Sequence, residues 1–504
     1  MKVALFYGHY SSNIGDVAIN AGLVEYLRRA FGDSLRLRVF FLNSTGEELG
    51  GRESFSEFPE CEFQSVFSSA TEAIKYLASP EAFISDCGVE GFDLVLVNGG
   101  EHFFSYHHNE NWHNLFWRSL PIIAASASGL RCAVVPSSFG PFETKDSVDF
   151  MHNVLGEGPE VAARDARSAE ILASQGLLAD APVFTDMAFF LRSDKQRSRQ
   201  KHQKVLAVTV RPDSAGLRVG ELETKQAAER YAASGYSESP SFQSTLAVLR
   251  QLLSDQSFTV RLFMQSNADV DLTQGLYAVL SGEFGDSRVS LYRPVSVSDY
   301  LRELSACDCI YTSRFHAAIL GYVAGTPSVT AYFPEHGHKM PGLYEYLGRE
   351  QFCFELGGRL MDAERDKIVN AIFLAIDDYP SLHPEIEKRK SETVEWLRQL
   401  TTETNDPAPF MSSSEAVQYQ PWWPEVVSAS ERKKVETALR SRNTRHKEVV
   451  AARKEAYERV KEREKKLSAR VETLARENAR LLKKDISSGR IRRLLANLIG
   501  KGSG

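Results

Sequence analysis

The sequence has 504 residues and no apolar run of the roughly 18 residues that a membrane-spanning helix needs. Its opening, MKVALFYGHYSSNIGD, has a short apolar run and no small-residue cleavage site, so it reads as a first buried strand and not as a signal peptide. Cysteine is scarce, with six spread over positions 61, 87, 132, 307, 309 and 353 and no CxxC pair. That argues against a disulfide framework and a zinc site, and it fits a reducing, cytoplasmic setting. No His/Asp cluster calls for an obligatory metal. No GxGxxG follows the first strand, which argues against a standard dinucleotide site.

What is present is ordinary in bulk and uneven in charge. Hydrophobic residues make up 43% and charged residues 25%, as in soluble globular proteins. The chain is too long for one core. Residues 431–504 hold 23 Lys and Arg against 10 Asp and Glu, while residues 1–430 hold 37 against 56. An acidic body therefore carries a basic tail. Interleaved aromatics are few in that tail and the body would repel phosphate, so nucleic acid is not expected as a partner.

Apolar runs alternate with helix-period segments from the start. Strands are expected at 2–8, 36–41, 92–98, 131–136 and 160–164, with helices near 16–31, 69–79, 112–128, 145–155 and 166–176. Continuous apolar strands joined by helices predict a parallel sheet covered on both faces. The polar, basic stretch 193–204 reads as a linker. A second alternation follows, with strands at 205–211, 258–264, 289–292, 308–312 and 327–332. Its helices fall at 242–255, 268–281, 298–306 and 316–324. Residues 214–242 read as an excursion over the cleft, and helices near 362–377 and 384–400 are expected to close this second domain. The predicted architecture is α/β, with two doubly wound Rossmann-like domains, 1–192 and 205–400, facing a cleft. Ligands in such folds sit at the carboxyl ends of strands.

Residues 401–430 read as a second linker, and 431–504 as a basic helical tail. Val460, Leu467, Leu474 and Leu481 recur every seven residues beside Tyr457, Glu464, Val471 and Asn478. This predicts a short coiled coil and a homodimer, against the alternative of a solvated single helix. Residues 491–500 gather Ile491, Leu494, Leu495, Leu498 and Ile499 beside Arg492 and Arg493, a pattern suited to the surface of an anionic membrane.

Four strand ends carry polar groups. After the first strand, Asn13, Gly15 and Asp16 lead into a helix, as ligands or as plain caps. In VNGGEHFF, Glu101 and His102 follow paired glycines that let a backbone approach a ligand, or merely form a turn. Arg164 ends a strand before Asp165 and Ser168, as a structural ion pair or an anion ligand. In CIYTSRFHAAIL, Ser313, Arg314, Phe315 and His316 open a helix. Free N–H groups, a planar guanidinium and an imidazole make that end an anion site with a proton donor.

These segments, NIGDVAI, NGG, RDARS, TDMAF and SRFHAAILGYVAGTPSV followed by HK, resemble in kind and order the polysaccharide pyruvyl transferase family over roughly residues 1–400. Glu101 stands where a third glycine is frequent, and Pro136-Ser137-Ser138 where the family has Pro-Gln-Ser. The resemblance implies a GT-B-like pair of domains that moves the enolpyruvyl group of phosphoenolpyruvate onto a sugar of a cell-surface polysaccharide or its lipid-linked precursor. Phosphoenolpyruvate is then a co-substrate and no cofactor is implied. Donor binding is expected from Arg164, Arg314, Phe315 and His316, with Arg211 and Lys339 as helpers. His316 would be the general acid, Arg314 would stabilise charge, and Asp16 or Glu101 would take the hydroxyl proton. Asn13, Asp16, Glu101 and His102 are the acceptor contacts implied. Two other readings stay open: a nucleotide-sugar glycosyltransferase of GT-B type, and a non-catalytic glycan-binding scaffold. A lipid-linked acceptor would place the enzyme in the cytoplasm, peripheral at the inner membrane face.

Overall fold

A computed structural model describes residues 1–8, 13–32, 35–41, 62–65, 80–105, 112–156, 159–193, 203–213, 233–334, 337–357, 360–377 and 383–402, with positions 55, 76, 231, 465 and 476. The chain divides into a unit of residues 1–418 and a second of 419–504. The expected coiled coil, the apolar face at 491–500 and the 403–430 part of the second linker lie outside the described residues, as do 194–202, 214–230 and most of 69–79.

The first sheet holds seven parallel strands: β1 Lys2–Gly8, β2 Arg36–Phe41, β3 Glu62–Ser65, β4 Leu94–Val97, β5 Glu101–Ser105, β6 Cys132–Phe142 and β7 Glu160–Ala163. They run in the order β3-β2-β1-β4-β6-β5, with β7 also on β6. Chain order reverses between β1 and β4, the switch point of a doubly wound sheet. Helices α1 Ile14–Phe31, α2 Glu81–Cys87, α3 Trp112–Ala127, α4 Lys145–Leu155 and α5 Ala166–Ser174 connect these strands. Val3 to Phe6 of β1 and all of β4 are buried, as strands covered on both faces require.

One expectation fails here. Glu101 and His102 do not trail a strand end. They open β5, which pairs with the distal part of β6 after a break at Asn98-Gly99-Gly100. The break follows from the glycines. A Cβ on Gly99 would stand 3.0 Å from the Pro136 carbonyl oxygen, and Gly100 has φ +149°.

The second sheet repeats the design with β8 Lys204–Thr209, β9 Phe258–Phe263, β10 Val289–Tyr292, β11 Cys309–Thr312, β12 Ser328–Tyr332 and β13 Cys353–Glu355, ordered β10-β9-β8-β11-β12-β13 and parallel throughout. Its switch point lies between β8 and β11. Helices α6 Pro240–Ser254, α7 Val270–Phe284, α8 Val297–Ser305, α9 Phe315–Ala324, α10 Lys339–Leu347 and α11 Asp362–Asp377 belong to this half. The fold is thus two Rossmann-like sheets in the GT-B manner. A final helix, α12 His383–Thr402, was expected to close the second domain. It bridges both: Ile386 and Arg389 near its start meet the second half, Arg389 over the Tyr346 ring, while Val394, Trp396 and Leu397 join the core of β1, β2 and α1, and the Tyr26 hydroxyl donates to the Thr393 carbonyl at 3.2 Å.

Helix α1 belongs to both cores. Ile19, Leu23, Val24 and Leu27 pack with the first sheet, while Ile14, Val17 and Ala18 pack with the second. A 3-10 turn, Met187–Phe190, lies against it so closely that a Cβ on Gly22 would stand 1.8 Å from the Met187 carbonyl oxygen. Gly22→Ala should therefore destabilise the protein by about 1–3 kcal/mol, the usual effect of overpacking. Urea denaturation reads this directly, and an unchanged midpoint would remove the close approach as a constraint.

Candidate active site

The two switch points bound one cavity of about 320 Å³, near the small end of ligand pockets. From the first half, Asn13, Asp16, Glu101, His102 and Arg164 line it. From the second come Arg211, Arg314, Phe315, His316 and Lys339. The structure thus gathers around one space every side chain expected to bind donor or acceptor or to act in catalysis. It adds Arg118, Gln265 and Tyr332.

His316 stands in the first turn of α9, whose N-cap, Arg314, makes no capping bond with its side chain. Thr312 Oγ1 accepts from the Arg314 N–H at 2.9 Å, and Ser313 Oγ accepts from the Arg211 N–H at 2.8 Å, which ties the ends of β11 and β8 together. The His316 ring packs on α1, because a Cβ on Gly15 would fall 2.6 Å from its Nδ1. The glycine of NIGD thus serves a contact with an imidazole from the other half of the molecule.

Behind His316 lies a buried ionic cluster. Arg164 Nη1 donates to Asp186 Oδ2 at 2.8 Å, and Arg164 Nε donates to Ser138 Oγ at 2.9 Å. His316 Nε2 is 3.8 Å from the same Asp186 oxygen and 3.5 Å from Arg164 Nη1. Phe315 closes the cluster, its ring 4.6 Å from the Arg164 guanidinium carbon. Burial alone would raise the pKa of Asp186. Arg164, His316 and the Ala188 N–H outweigh it and hold this carboxyl well below the usual range.

Arg314 pairs with Asp269, which also accepts from the Ser266 N–H at 3.1 Å. Here burial wins over Arg314 and the pKa of Asp269 is raised. Arg211 and the Ser266 N–H act in the same direction as Arg314, and burial still outweighs all three. Lys339 Nζ meets Glu101 Oε2 at 2.6 Å, an ion pair that joins α10 to β5 across the cavity. Asn13 is the N-cap of α1: its Oδ1 accepts from the Gly15 N–H at 3.0 Å and from Gln265 Nε2 at 3.0 Å. The cap reading of Asn13 thus holds while the residue still lines the cavity. Asp165 likewise caps α5, accepting from the Ser168 N–H at 2.8 Å. Among the described residues, no group of three His, Cys, Asp or Glu side chains is placed to hold a metal ion, and no helix is long and apolar enough to cross a membrane.

Sequence reasoning missed Asp186, Asp269, Arg118 and Gln265 as site groups. Asp186 lay in the quoted TDMAF, but no pattern assigned it a partner. Asp269 opens a helix and reads as an ordinary cap. Arg118 is the one Lys, Arg, Asp or Glu of the otherwise uncharged α3, and that isolation was a usable signal.

Comparison with known families decides the affiliation. A family model described as polysaccharide pyruvyl transferase matches residues 13–332, more than half of the chain. The chain belongs to the polysaccharide pyruvyl transferase family. The family is one of enzymes, and its matched region ends inside the second sheet, at β12. No curated protein sequence matches significantly. Among solved structures, the UDP-GlcNAc 2-epimerase from Methanocaldococcus jannaschii aligns at 11% identity and TM-score 0.49, covering 79% of this chain and 100% of that one. The UDP-GlcNAc 2-epimerase from Neisseria meningitidis aligns at 13% and 0.48, covering 80% and 100%. The E. coli ADP-heptose lps heptosyltransferase II aligns at 13% and 0.36, covering 80% and 99%. At such identities the likeness concerns the fold alone.

Asp186→Asn should leave the Arg164 guanidinium buried without a counter-ion and destabilise the protein by roughly 3–5 kcal/mol at neutral pH. The sign of the pH dependence follows from a depressed folded pKa. The stability that Asp186 contributes is complete above the ordinary carboxylate value of about 4 and fades as pH falls through the folded value. Denaturation curves of wild type and variant should therefore converge in strong acid. A gap of constant size from pH 7 to pH 2 would contradict the pairing.

Proposed function

We propose that this family member transfers the enolpyruvyl group of phosphoenolpyruvate to a sugar of a cell-surface polysaccharide, or of its lipid-linked precursor, and forms a pyruvate ketal with release of phosphate. The observation that carries this reading is the cavity at the N terminus of α9, where Arg164, Arg211, Arg314 and Lys339 outnumber the lining carboxylates of Asp16 and Glu101. A small ligand with two anionic groups suits such a space. The N terminus of α9 and the Arg314 fork would hold one of them. Arg164 lines the cavity floor with Nη1 on Asp186, so it serves the donor as part of a fixed positive wall.

The chemistry is acid-base work at that wall. His316 gives a proton to the methylene carbon of the enolpyruvyl group. A sugar hydroxyl adds at C2 and loses its proton to Asp16 or Glu101. Phosphate leaves C2, a second hydroxyl adds there, and its proton departs to close the ketal. The fixed cations stabilise the charge carried by the leaving phosphate. His316→Gln should lower turnover by roughly 10²–10⁴-fold, the usual effect of removing a general acid. Arg314→Lys should raise the donor KM, because lysine has no planar fork. The assay follows free phosphate from phosphoenolpyruvate with extracted surface glycans and detects the pyruvate adduct by mass. Consumption of a uridine or guanosine diphosphate sugar, with no phosphate from phosphoenolpyruvate, would overturn the reading in favour of a glycosyltransferase.

For the tail we propose dimerisation through 431–484 and binding to the inner membrane face through 491–500, which keeps a cytoplasmic enzyme near a lipid-linked acceptor. Support comes from the heptad spacing and the net positive charge of the segment. The full chain should float with anionic liposomes in a salt-sensitive manner, and a chain ending at residue 428 should not. Equal flotation of both would remove the tail from the account.

A further inference from the structure

Arg118 presents an unbalanced charge. Three cations of the cavity have carboxylate partners: Arg164 has Asp186, Arg314 has Asp269, and Lys339 has Glu101. Arg118 has carbonyls and rings. Its Nη1 donates to the carbonyl oxygens of Glu101 at 3.1 Å and His102 at 3.2 Å. Its guanidinium carbon lies 5.2 Å from the Trp117 ring and 5.7 Å from that of Phe104. Its Nε is buried with no hydrogen-bond partner among the described residues. Glu101, whose backbone it touches, gives its carboxylate to Lys339. Burial lowers the pKa of Arg118, with the Tyr7 hydroxyl opposing. A half-buried cation with no counter-ion among the described residues is costly, and a bound anion would remove that cost.

The wall that carries Arg118 is held firmly. Tyr7, at the end of β1, has φ +68°, a strained value for a bulky residue, and its hydroxyl donates to the Trp117 carbonyl. A contact path from His316 to Arg118 runs through Phe315, Lys339 and Glu101. Arg118 thus stands on the first-sheet wall, while the proposed donor groups gather at the start of α9.

We propose that Arg118 anchors a second anion subsite, which takes a carboxylate or phosphate carried by the acceptor glycan. Placing that anion on the acceptor and not the donor rests on the function proposed above. The consequence is specificity: the enzyme favours an acidic saccharide, or one bearing a phosphate, over a neutral one.

The test measures binding to the full chain by titration calorimetry, with glucose 1-phosphate, glucuronate and neutral glucose as probes and phosphoenolpyruvate as a separate arm. Wild type should bind the two anionic sugars more tightly than glucose. Arg118→Met should weaken the anionic sugars by about 10–100-fold, the effect of a charge-assisted bond, and leave glucose and phosphoenolpyruvate within about twofold. Arg118→Gln keeps a donor for the two carbonyls and gives the same readout if the methionine variant does not fold. Three results would overturn the subsite: no anionic preference in wild type, a preference that survives both substitutions, or a parallel loss of phosphoenolpyruvate binding, which would assign Arg118 to the donor. If wild type fails to bind phosphoenolpyruvate at all, the donor reading falls, and the anionic preference with its loss in the variants still decides the subsite.

Discussion

The ion pair between Arg164 and Asp186 is the constraint on which the site depends. Both side chains are almost wholly out of solvent, at 1% and 2% exposure. Such a pair is weak evidence of net stability, since desolvation offsets most of the attraction. It is a strong constraint on geometry, because neither partner tolerates burial alone. Arg164 follows the end of β7. Asp186 leads the 3-10 turn that packs on α1 and α9. Satisfying this one pair therefore fixes where the chain leaves the first sheet, and it sets the Asp186 carboxylate against a histidine that comes from the second sheet.

Steric limits complete what the charge begins. Helix α1 is apolar on faces that would be solvated in an ordinary surface helix, because both cores pack against it, the second at its first turn and the first beyond. Gly15 leaves room for His316, and Gly22 leaves room for the Met187 carbonyl. The Ile14 N–H donates to the Gln265 carbonyl at 3.0 Å, so one of the orphan donors at this helix start is satisfied from the opposite half. The two halves thus meet through a helix end whose small residues were chosen by contact and not by helix propensity.

Much of this was legible because strand ends in parallel sheets are few and their polar residues stand out. Arg314 and His316 interrupt an apolar sequence, and that interruption marks the cavity. What was not legible depended on contacts between distant segments. β5 was hidden because its pairing with β6 needs a break at two glycines, and periodicity cannot see a break. The placement of α12 on the first core was hidden because Val394 and Leu397 suit any apolar groove. Asp186 and Asp269 each have an ordinary local role as capping residues: Asp186 Oδ1 accepts from the Ala188 N–H at 2.7 Å, and Asp269 completes a capping box with Ser266. Their second role lies in an arginine far away in sequence.

The ion pairs differ in what an incoming anion can do to them. Asp186 is held by Arg164, near His316 and by a backbone N–H, in a place closed to water, so its charge is part of the frame. The pair of Lys339 and Glu101 is different. Each side chain keeps 16% exposure, and the two come from opposite halves. An anion that reaches Lys339 competes with Glu101 for the same ammonium group. In a low-dielectric cleft that competition is strong, because each charge is poorly screened by solvent. A carboxylate released in this way stands at the cavity wall as a proton acceptor. Anion binding at Lys339 and release of the Glu101 carboxylate are thereby linked, and the same displacement loosens a bond that holds the two halves together.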